Sequence, residues 1–286
     1  MSNRSLGPKS SAFLQFCRSH PFTVMAGAIL IALIMAALLA PYLGTVDPRK
    51  INILPRMRPP SEQAWFGSDQ LGRDVWTRTL YGARISLIVG LMVSLMSISA
   101  GLLIGMVSGY MRKLDAVIMR VMDGLMSIPG ILLAIGLVSV SGASLATVTI
   151  AITIPEIPRV VRLVRAIVLS VREEPYVEAA IAVGTKTPLI LWRHVLPNCV
   201  PPLIVQATYV AASAMLTEAL LSFLGAGTPP EIPSWGNMMA EGRIVFPIAP
   251  WIVLIPGCTL ALAILAVNVL GDGLRDRLDP KIAKRM

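Results

Sequence analysis

Charged residues are scarce in this sequence. Only 14% of its 286 residues are Asp, Glu, Lys or Arg, while 55% are hydrophobic, and the mean hydropathy is +0.72. A soluble globular protein carries roughly a quarter charged residues, so this chain has too little polar surface to cover a water-facing fold. The shortage therefore excludes an ordinary soluble domain and predicts an all-α integral membrane protein.

Cysteines and nucleotide-binding signatures are also lacking. The three cysteines, Cys17, Cys199 and Cys258, are far apart and form no C-x-x-C pair, which argues against a disulfide framework or a metal site. The string Gly-Thr-Lys-Thr at 184–187 is not a P-loop, because such a loop needs adjacent Gly and Lys and an earlier Gly after a strand. The sequence therefore predicts a protein that is not an enzyme, with no catalytic residue, metal or cofactor of its own.

Long apolar segments dominate the chain. Roughly 20 apolar residues cross about 30 Å of hydrocarbon, and segments of about that length recur along the sequence. The predicted spans are residues 22–43, 85–110, 116–139, 145–168, 199–223 and 250–270. An outer loop at 44–84 and a charged loop at 170–197 interrupt them. We therefore expect one membrane domain, residues 1–286, with about six transmembrane helices.

The distribution of basic residues predicts the orientation. The chain carries 25 Lys and Arg against 16 Asp and Glu. If both termini are cytoplasmic, most of the basic residues, including Arg159, Arg162 and Arg165 beside the fourth loop, lie on the inner side, as the positive-inside rule requires. The basic residues are spread over several loops rather than gathered on one face, so they do not indicate binding of nucleic acid.

Small residues recur every four positions in the second predicted span, at Ser97, Gly101, Gly105 and Gly109. Residues with this spacing lie on one face of a helix, and their small size lets a second helix approach closely. We expect this face to form a contact between two helices.

The loop between spans 4 and 5 contains signals for two short helices. Pro175 suits the first turn of a helix, and Gly184 suits the left-handed residue that ends one. A second helix is expected to start with Thr187 as its N-cap and Pro188 in its first turn, and to run toward Pro197. An element of this kind, with a small apolar ridge, fits a groove on a soluble partner.

One motif in this loop resembles a known family. Glu178-Ala179-Ala180 is followed by Gly184 and then by His194-x-Leu196-Pro197. The spacing resembles the EAA loop of ABC importer permeases, in which a short cytoplasmic helix docks into a cleft on the ATPase and transmits its closure to the membrane helices. The resemblance implies that the ATPase-docking residues are Tyr176, Glu178, Ala179, Ala180, Gly184, Leu196 and Pro197. His194 stands where many such permeases have Ile, and we expect it to cap or pack the second loop helix.

Three further segments specify the type of permease. Residues 67–87, 222–236 and 271–280 are similar to the C-type membrane subunits of dipeptide and oligopeptide permeases. This resemblance implies the type I ABC importer fold and peptide import across the bacterial cytoplasmic membrane by alternating access. It also implies a second homologous permease subunit, two cytoplasmic ATPase subunits that bind ATP and Mg²⁺, and an extracytoplasmic substrate-binding protein. Permeases for glutathione, opines and nickel chelates share these segments, so those cargoes stay open.

One segment departs from that pattern. The C-type subunits usually place a Trp before an Ala-Arg pair at the end of span 4, where this chain has Pro155-Glu156-Ile157-Pro158-Arg159. Two prolines around a carboxylate predict a sharper kink. We expect Glu156 to cap a helix end, with contact to a cationic group of the cargo as the alternative. The residues that line the substrate path are not predicted.

Two sets of charged residues are expected to serve the structure. Arg120 and Asp123 are spaced i, i+3 near the inner end of span 3, where a pair avoids exposing lone charges to lipid. Asp69, Arg73 and Asp74 precede span 2 on the outer side. We expect these three to set the angle at which the chain re-enters the membrane, with contact to a substrate-binding protein as the alternative.

Two other classes of membrane protein fit the sequence less well. An intramembrane protease needs two membrane Asp residues, a Ser/His pair or H-E-x-x-H, whereas the predicted spans contain Asp123 without such a partner and no His. An ion-coupled carrier predicts paired broken helices in two similar halves, and the sequence shows no such repeat. The permease interpretation is therefore preferred.

Overall fold

The chain folds into helices of membrane length and several shorter ones. The computed structural model describes residues 20–43, 46–51, 56–62 and 64–278, so Cys17 and residues 279–280 of the C-type segment lie outside the described residues. Within the described ranges the regular structure is helical and strands occur only as isolated bridges, which confirms the all-α prediction. The helices are α1 (Pro21–Leu38), α2 (Ala40–Leu43), α3 (Val75–Tyr110), α4 (Arg112–Met126), α5 (Gly130–Ser141), α6 (Leu145–Arg172), α7 (Pro175–Ala182), α8 (Thr187–Ile190), a π-helical segment (Leu191–Val195), α9 (Leu196–Phe223), α10 (Trp235–Gly242), a short 3-10 helix (Arg243–Val245) and α11 (Trp251–Leu278).

Four helices in the described part of the chain are long and apolar enough to cross a membrane. They are α1, α3, the continuous helix Thr187–Phe223 and α11. The pair α4 and α5 meets the same requirement together but bends by 86° at the break between its two helices. α6 covers the fourth predicted span, although Glu156, Arg159 and Arg162 interrupt its apolar sequence. The arrangement is close to the prediction of about six spans, and the third and fourth are the least regular.

Two predicted spans differ in their bounds from the helices that contain them. The sequence places the second span at 85–110, but α3 begins at Val75, because the Asp74 side chain accepts a hydrogen bond from the Thr77 N–H (2.8 Å) and caps the helix. The sequence places the third span at 116–139, but that helix breaks just before Gly130, where Pro129 has no N–H to donate. Span 3 is therefore two helices that meet at a sharp angle.

The two prolines of the segment that departs from the C-type pattern lie within a helix. Pro155 and Pro158 are both inside α6, which continues through them. A proline leaves one backbone carbonyl of its helix without a hydrogen bond, and neighbouring helices can satisfy that group. Glu156 therefore does not cap a helix end, and that expectation is wrong. Arg159 likewise lies inside α6 and is not a residue of the loop that follows.

The predicted contact of small residues is formed by α3 and α6. A Cβ atom on Gly101 would lie 2.5 Å from the Cβ of Val160, closer than two such atoms can approach. The facing pairs are Gly101–Val160, Gly105–Val164 and Gly109–Val168. Ser97 is also fully buried. The glycines therefore let the two backbones approach, and the valines fill the space that the missing side chains leave.

A short helix that the sequence did not predict occupies part of the Pro/Gly-rich stretch before α11. Ser234 caps this helix, α10, because its Oγ accepts a hydrogen bond from the Asn237 N–H (3.1 Å) and donates one to Glu218 of α9 (2.9 Å). Trp235 is fully buried, and its Nε1 donates to the Thr79 carbonyl oxygen of α3 (3.1 Å). α10 is therefore a packed part of the bundle that joins α3 to α9.

Gly105→Ala is expected to destabilise the protein, because the added Cβ would lie 2.7 Å from the Cβ of Val164 and would push α3 and α6 apart. Overpacking of this kind costs about 1–3 kcal/mol. Gly136→Ala is the matched control, since no atom lies within 4 Å of its Cβ position on α5. The thermal midpoint in detergent measures both variants. An equal or higher midpoint for Gly105→Ala than for the unchanged protein would contradict the close contact.

Candidate functional site

The loop after α6 carries the short helix α7. Its first turn holds a proline, as predicted, and Val177 is fully buried against the core of the bundle. Gly184 follows the helix with a left-handed φ of +84°. The Gly184 N–H donates to the Ile181 carbonyl oxygen (2.9 Å) and the Thr185 N–H to that of Ala180 (3.0 Å), which is the Schellman arrangement that favours glycine. The glycine thus ends the helix as predicted.

Several apolar side chains of this loop are exposed, together with charged ones. The exposed residues on and around α7 and α8 include Tyr176, Glu178, Ala179, Ile181, Val183, Leu189 and Trp192. Val183 is 86% exposed and Trp192 is 72% exposed. Apolar side chains grouped on an exposed surface mark an interaction site. These seven residues are called the docking surface below.

The structure divides the predicted docking residues between two places. Tyr176, Glu178, Ala179, Ala180 and Gly184 lie on α7 or the turn after it, and Ala180 is the half-buried member of this group. Leu196 and Pro197 lie in the first turn of α9, where Pro197 is exposed and Leu196 is half-buried. Contact of these residues with an ATPase stays a prediction.

α7 is attached to the base of α9. The Tyr176 ring lies 5.9 Å from the His194 ring, measured between centroids. The Asn198 Nδ2 donates to the His194 carbonyl oxygen (2.6 Å). His194 therefore packs between the loop and the spanning helix, which is one of the two roles expected for it.

The second loop helix does not end near Pro197, and that prediction is wrong. α8 begins at Thr187, with Lys186 instead of Thr187 as its N-cap, and it continues through the π-helical segment into α9. Pro197 lacks an N–H, but the π segment before it already departs from i→i+4 bonding, so the helix accommodates the proline. The second part of the loop is therefore continuous with a helix that is long and apolar enough to span a membrane.

Two ion pairs join α4 to α6. Arg165 donates two hydrogen bonds of 2.6 Å to the two carboxylate oxygens of Asp115, a bidentate geometry that strengthens the pair. Arg162 pairs with Asp123 at 2.6 Å. The predicted pair of Arg120 with Asp123 is therefore wrong, because an arginine from the neighbouring helix takes the carboxylate. These pairs were missed because their members are far apart in the sequence.

A buried charge cluster joins the segment before α3 to α10. The Arg73 Nε donates to Asp69 (2.6 Å), and the Arg73 Nη2 donates to Glu241. The Arg78 Nη2 reaches the same Glu241 oxygen (3.1 Å), and Arg78 is only 1% exposed. Together with Asp74 at the helix N-cap, these contacts fix the start of α3, while their effect on the angle to the membrane stays a prediction. Arg78 and Glu241 were missed, because no local pattern marks them as partners.

These features define a helical membrane protein of several spans, with an exposed loop that continues into a helix long enough to span the membrane. Residues 97–284 match the family described as "Binding-protein-dependent transport system inner membrane component". The chain belongs to this family. It is therefore a multi-pass permease component of a transport system, and such components work with ATPase and binding-protein partners.

Three relatives match most of the chain. A probable peptide ABC transporter permease protein of Sinorhizobium fredii is 54% identical over 95% of this chain and 93% of its own length. A putative peptide transport system permease protein of Brucella suis is 47% identical over 89% of this chain and 86% of its own length. A dipeptide transport system permease protein of Alkalihalophilus pseudofirmus is 40% identical over 97% of this chain and 91% of its own length.

A solved structure shares the fold. The chain resembles a chain of the MetNI methionine ABC transporter in an inward-facing conformation, with a TM-score of 0.58 over 71% of this chain and 96% of that one. The sequence identity is 18%. The similarity confirms the importer-type membrane fold that the sequence predicts.

Glu241→Gln is expected to destabilise the start of α3, because Arg73 and Arg78 would stay buried without this carboxylate. Removing one partner of a buried ion pair costs about 3–5 kcal/mol, and the Glu241 side chain is 27% exposed, so we expect the lower end of that range. Glu231→Gln is the control, since Glu231 is exposed. Thermal midpoint and limited proteolysis measure the effect. Equal midpoints for the two variants would show that the cluster does not stabilise the fold.

Proposed function

We propose that this chain is the transmembrane permease subunit of an ATP-driven importer that moves peptides across the bacterial cytoplasmic membrane by alternating access. Family membership supports transport, and the relatives described above carry peptide or dipeptide permease names. The observation that carries the proposal is the docking surface, which is exposed, largely apolar and continuous with a spanning helix. Such a surface suits a groove on a soluble partner.

In this proposal the docking residues insert into a cleft on a cytoplasmic ATPase. They are Tyr176, Glu178, Ala179, Ala180, Gly184, Leu196 and Pro197. Two ATPase subunits bind ATP and Mg²⁺, and this chain holds no nucleotide or other cofactor. When the ATPases close, they displace α7 and α8. Because α7 follows α6 and α8 continues into α9, both long helices move with the loop.

The remaining partners follow from the same arrangement. A second, homologous permease subunit forms the other half of the channel, and an extracytoplasmic binding protein delivers the cargo to the outer side. Both termini and the docking loop lie in the cytoplasm, as the distribution of basic residues favours. The charge cluster of Asp69, Arg73, Arg78 and Glu241 then lies at the outer end of the bundle.

Peptide is the cargo that the relatives' names support. Glutathione, opines and nickel chelates are the cargoes that the sequence pattern left as alternatives. The binding protein of the complete importer distinguishes among them. A calorimetric titration of that binding protein with each class of ligand identifies the cargo, and binding of nickel chelates without binding of peptides would contradict the proposal.

Glu178→Lys is expected to lower ATP hydrolysis stimulated by the loaded binding protein by roughly tenfold, which equals about 1.4 kcal/mol. The reason is that the exposed carboxylate at the middle of α7 would become a cation within the ATPase contact. Glu231→Lys makes the same change of charge on an exposed residue away from the docking surface and should leave the activity unchanged.

The measurement uses the assembled importer in proteoliposomes, together with co-purification of the ATPase subunits. Wild-type stimulation and full co-purification for Glu178→Lys would contradict the assignment of α7 as the docking helix.

A further inference from the structure

α6 carries an ion pair near its midpoint. Glu156 lies 11 residues after Leu145, the start of the helix, and Arg159 lies 13 residues before Arg172, its end. At about 1.5 Å per residue, the pair is roughly 17–20 Å from either end of the helix. In the proposed arrangement α6 crosses the membrane as the fourth predicted span, and the pair then lies at the depth of the hydrocarbon instead of at the inner surface to which the count of basic residues assigned Arg159.

The pair is organised by two residues of α9. The Arg159 Nη1 donates to one oxygen of Glu156 (3.1 Å), and the Ser213 hydroxyl donates to the other (3.2 Å). The Arg159 guanidinium lies over the Tyr209 ring, 5.3 Å from its centroid. The carboxylate is therefore held from two sides, while the arginine is supported on one face by an aromatic ring.

The arginine of this pair is open to its surroundings. Its side chain is 47% exposed, against 12% for Glu156. A guanidinium has five N–H donors, and within the described residues the hydrogen bond to Glu156 is the one that it makes through them. Several donors thus remain available for an oxygen acceptor that the chain itself does not supply.

Further polar groups lie on the same side of α9. Gln206, Tyr209 and Ser213 are spaced i, i+3 and i+7, which places them on one face of the helix. The Gln206 Nε2 is buried and has no hydrogen-bond partner among the described residues. The face that α9 presents beside the ion pair is therefore polar along two turns.

Such a face is unsuited to lipid. An arginine at the centre of a bilayer costs at least about 2.5–3.5 kcal/mol, and intramembrane charges nearly always face the bundle interior or a water-filled cavity. The half-exposed Arg159 therefore requires water or a polar ligand in front of it. In a transport subunit, the path of the cargo is a space in mid-membrane that meets this requirement.

We propose that Glu156, Arg159, Tyr209 and Ser213 form a polar subsite on the translocation path, and that Arg159 binds the C-terminal carboxylate of a passing peptide. The inference rests on the proposed function and names the ligand group of this subsite. A guanidinium offers parallel N–H donors that match a carboxylate, and the Tyr209 ring keeps the guanidinium plane oriented. Glu156 neutralises Arg159 when no cargo is present.

The subsite lies in a segment that the sequence analysis singled out. Glu156 and Arg159 belong to the segment Pro155–Arg159, where the sequence departs from the C-type pattern. The arrangement also suits release, because the Glu156 carboxylate stays beside Arg159 and competes with the cargo for it. A site on a path must bind weakly enough for its ligand to leave.

Accessibility of Tyr209 tests the location. Tyr209→Cys is made in the full chain with Cys17, Cys199 and Cys258 replaced by alanine, and the complete importer is reconstituted in proteoliposomes. A charged, membrane-impermeant maleimide should label Tyr209→Cys in at least one nucleotide state, and dialanine delivered by the binding protein should slow the labelling. Leu265→Cys, an exposed apolar position on α11, is the control and should stay unlabelled. If Tyr209→Cys stays unlabelled in all nucleotide states, the proposal is overturned, and the face contacts lipid or the second permease subunit instead.

Transport of the same peptide tests whether Arg159 binds the carboxylate of the cargo. Arg159→Gln should slow ATP-dependent uptake of dialanine by roughly tenfold, and Arg159→Lys should recover part of the rate, because it keeps the charge without the bidentate geometry. Arg120→Gln, an exposed arginine of α4, should transport at the wild-type rate. Wild-type uptake by Arg159→Gln, alongside an active unchanged importer, would overturn the subsite alone. If the unchanged importer takes up neither dialanine nor other peptides, the proposed peptide function is wrong. The proposed ligand of the subsite is then wrong as well.

Discussion

A charged side chain in a membrane protein must find a counter-charge or water, because the hydrocarbon offers neither and an isolated buried charge costs several kcal/mol. In this protein that requirement decides which elements meet. Arg78 is buried at the start of α3, so Glu241 of α10 has to lie against it. Arg165 inside α6 likewise brings Asp115 of α4 into contact. Where pairing is incomplete, as at the half-exposed Arg159, water or a polar ligand is required.

α6 is the helix on which these contacts converge. Its valines fill the space beside the glycines of α3, and its arginines reach the carboxylates of α4. α7 follows α6 directly, while α8 continues into α9. The loop is therefore connected to two long helices. The same two helices hold Glu156 and Ser213 at hydrogen-bonding distance, so the loop and the proposed subsite are carried by the same pair of helices.

Local features were predictable from the residues themselves. The glycine spacing of span 2 predicted the close contact, and Gly184 predicted the end of α7, because both effects depend on backbone geometry within a few residues. The errors share a different cause. Arg120 was expected to pair with Asp123 because the two are close in sequence, but Arg162 of the adjacent helix takes that carboxylate. Pro197 was expected to end a helix, but the π segment before it accommodates the proline.

The sequence by itself determined the lipid environment, the helical class and the short helix of the loop after α6, since each depends on composition or on patterns within one helix. The tertiary structure alone decided which charges pair. Arg73 meets Glu241 across 168 residues, and Glu156 meets Ser213 across 57. No local pattern encodes such distances, because the partners are brought together by the packing of whole helices. For this reason the sequence indicated a permease, while the polar contact between α6 and α9 emerged from the fold.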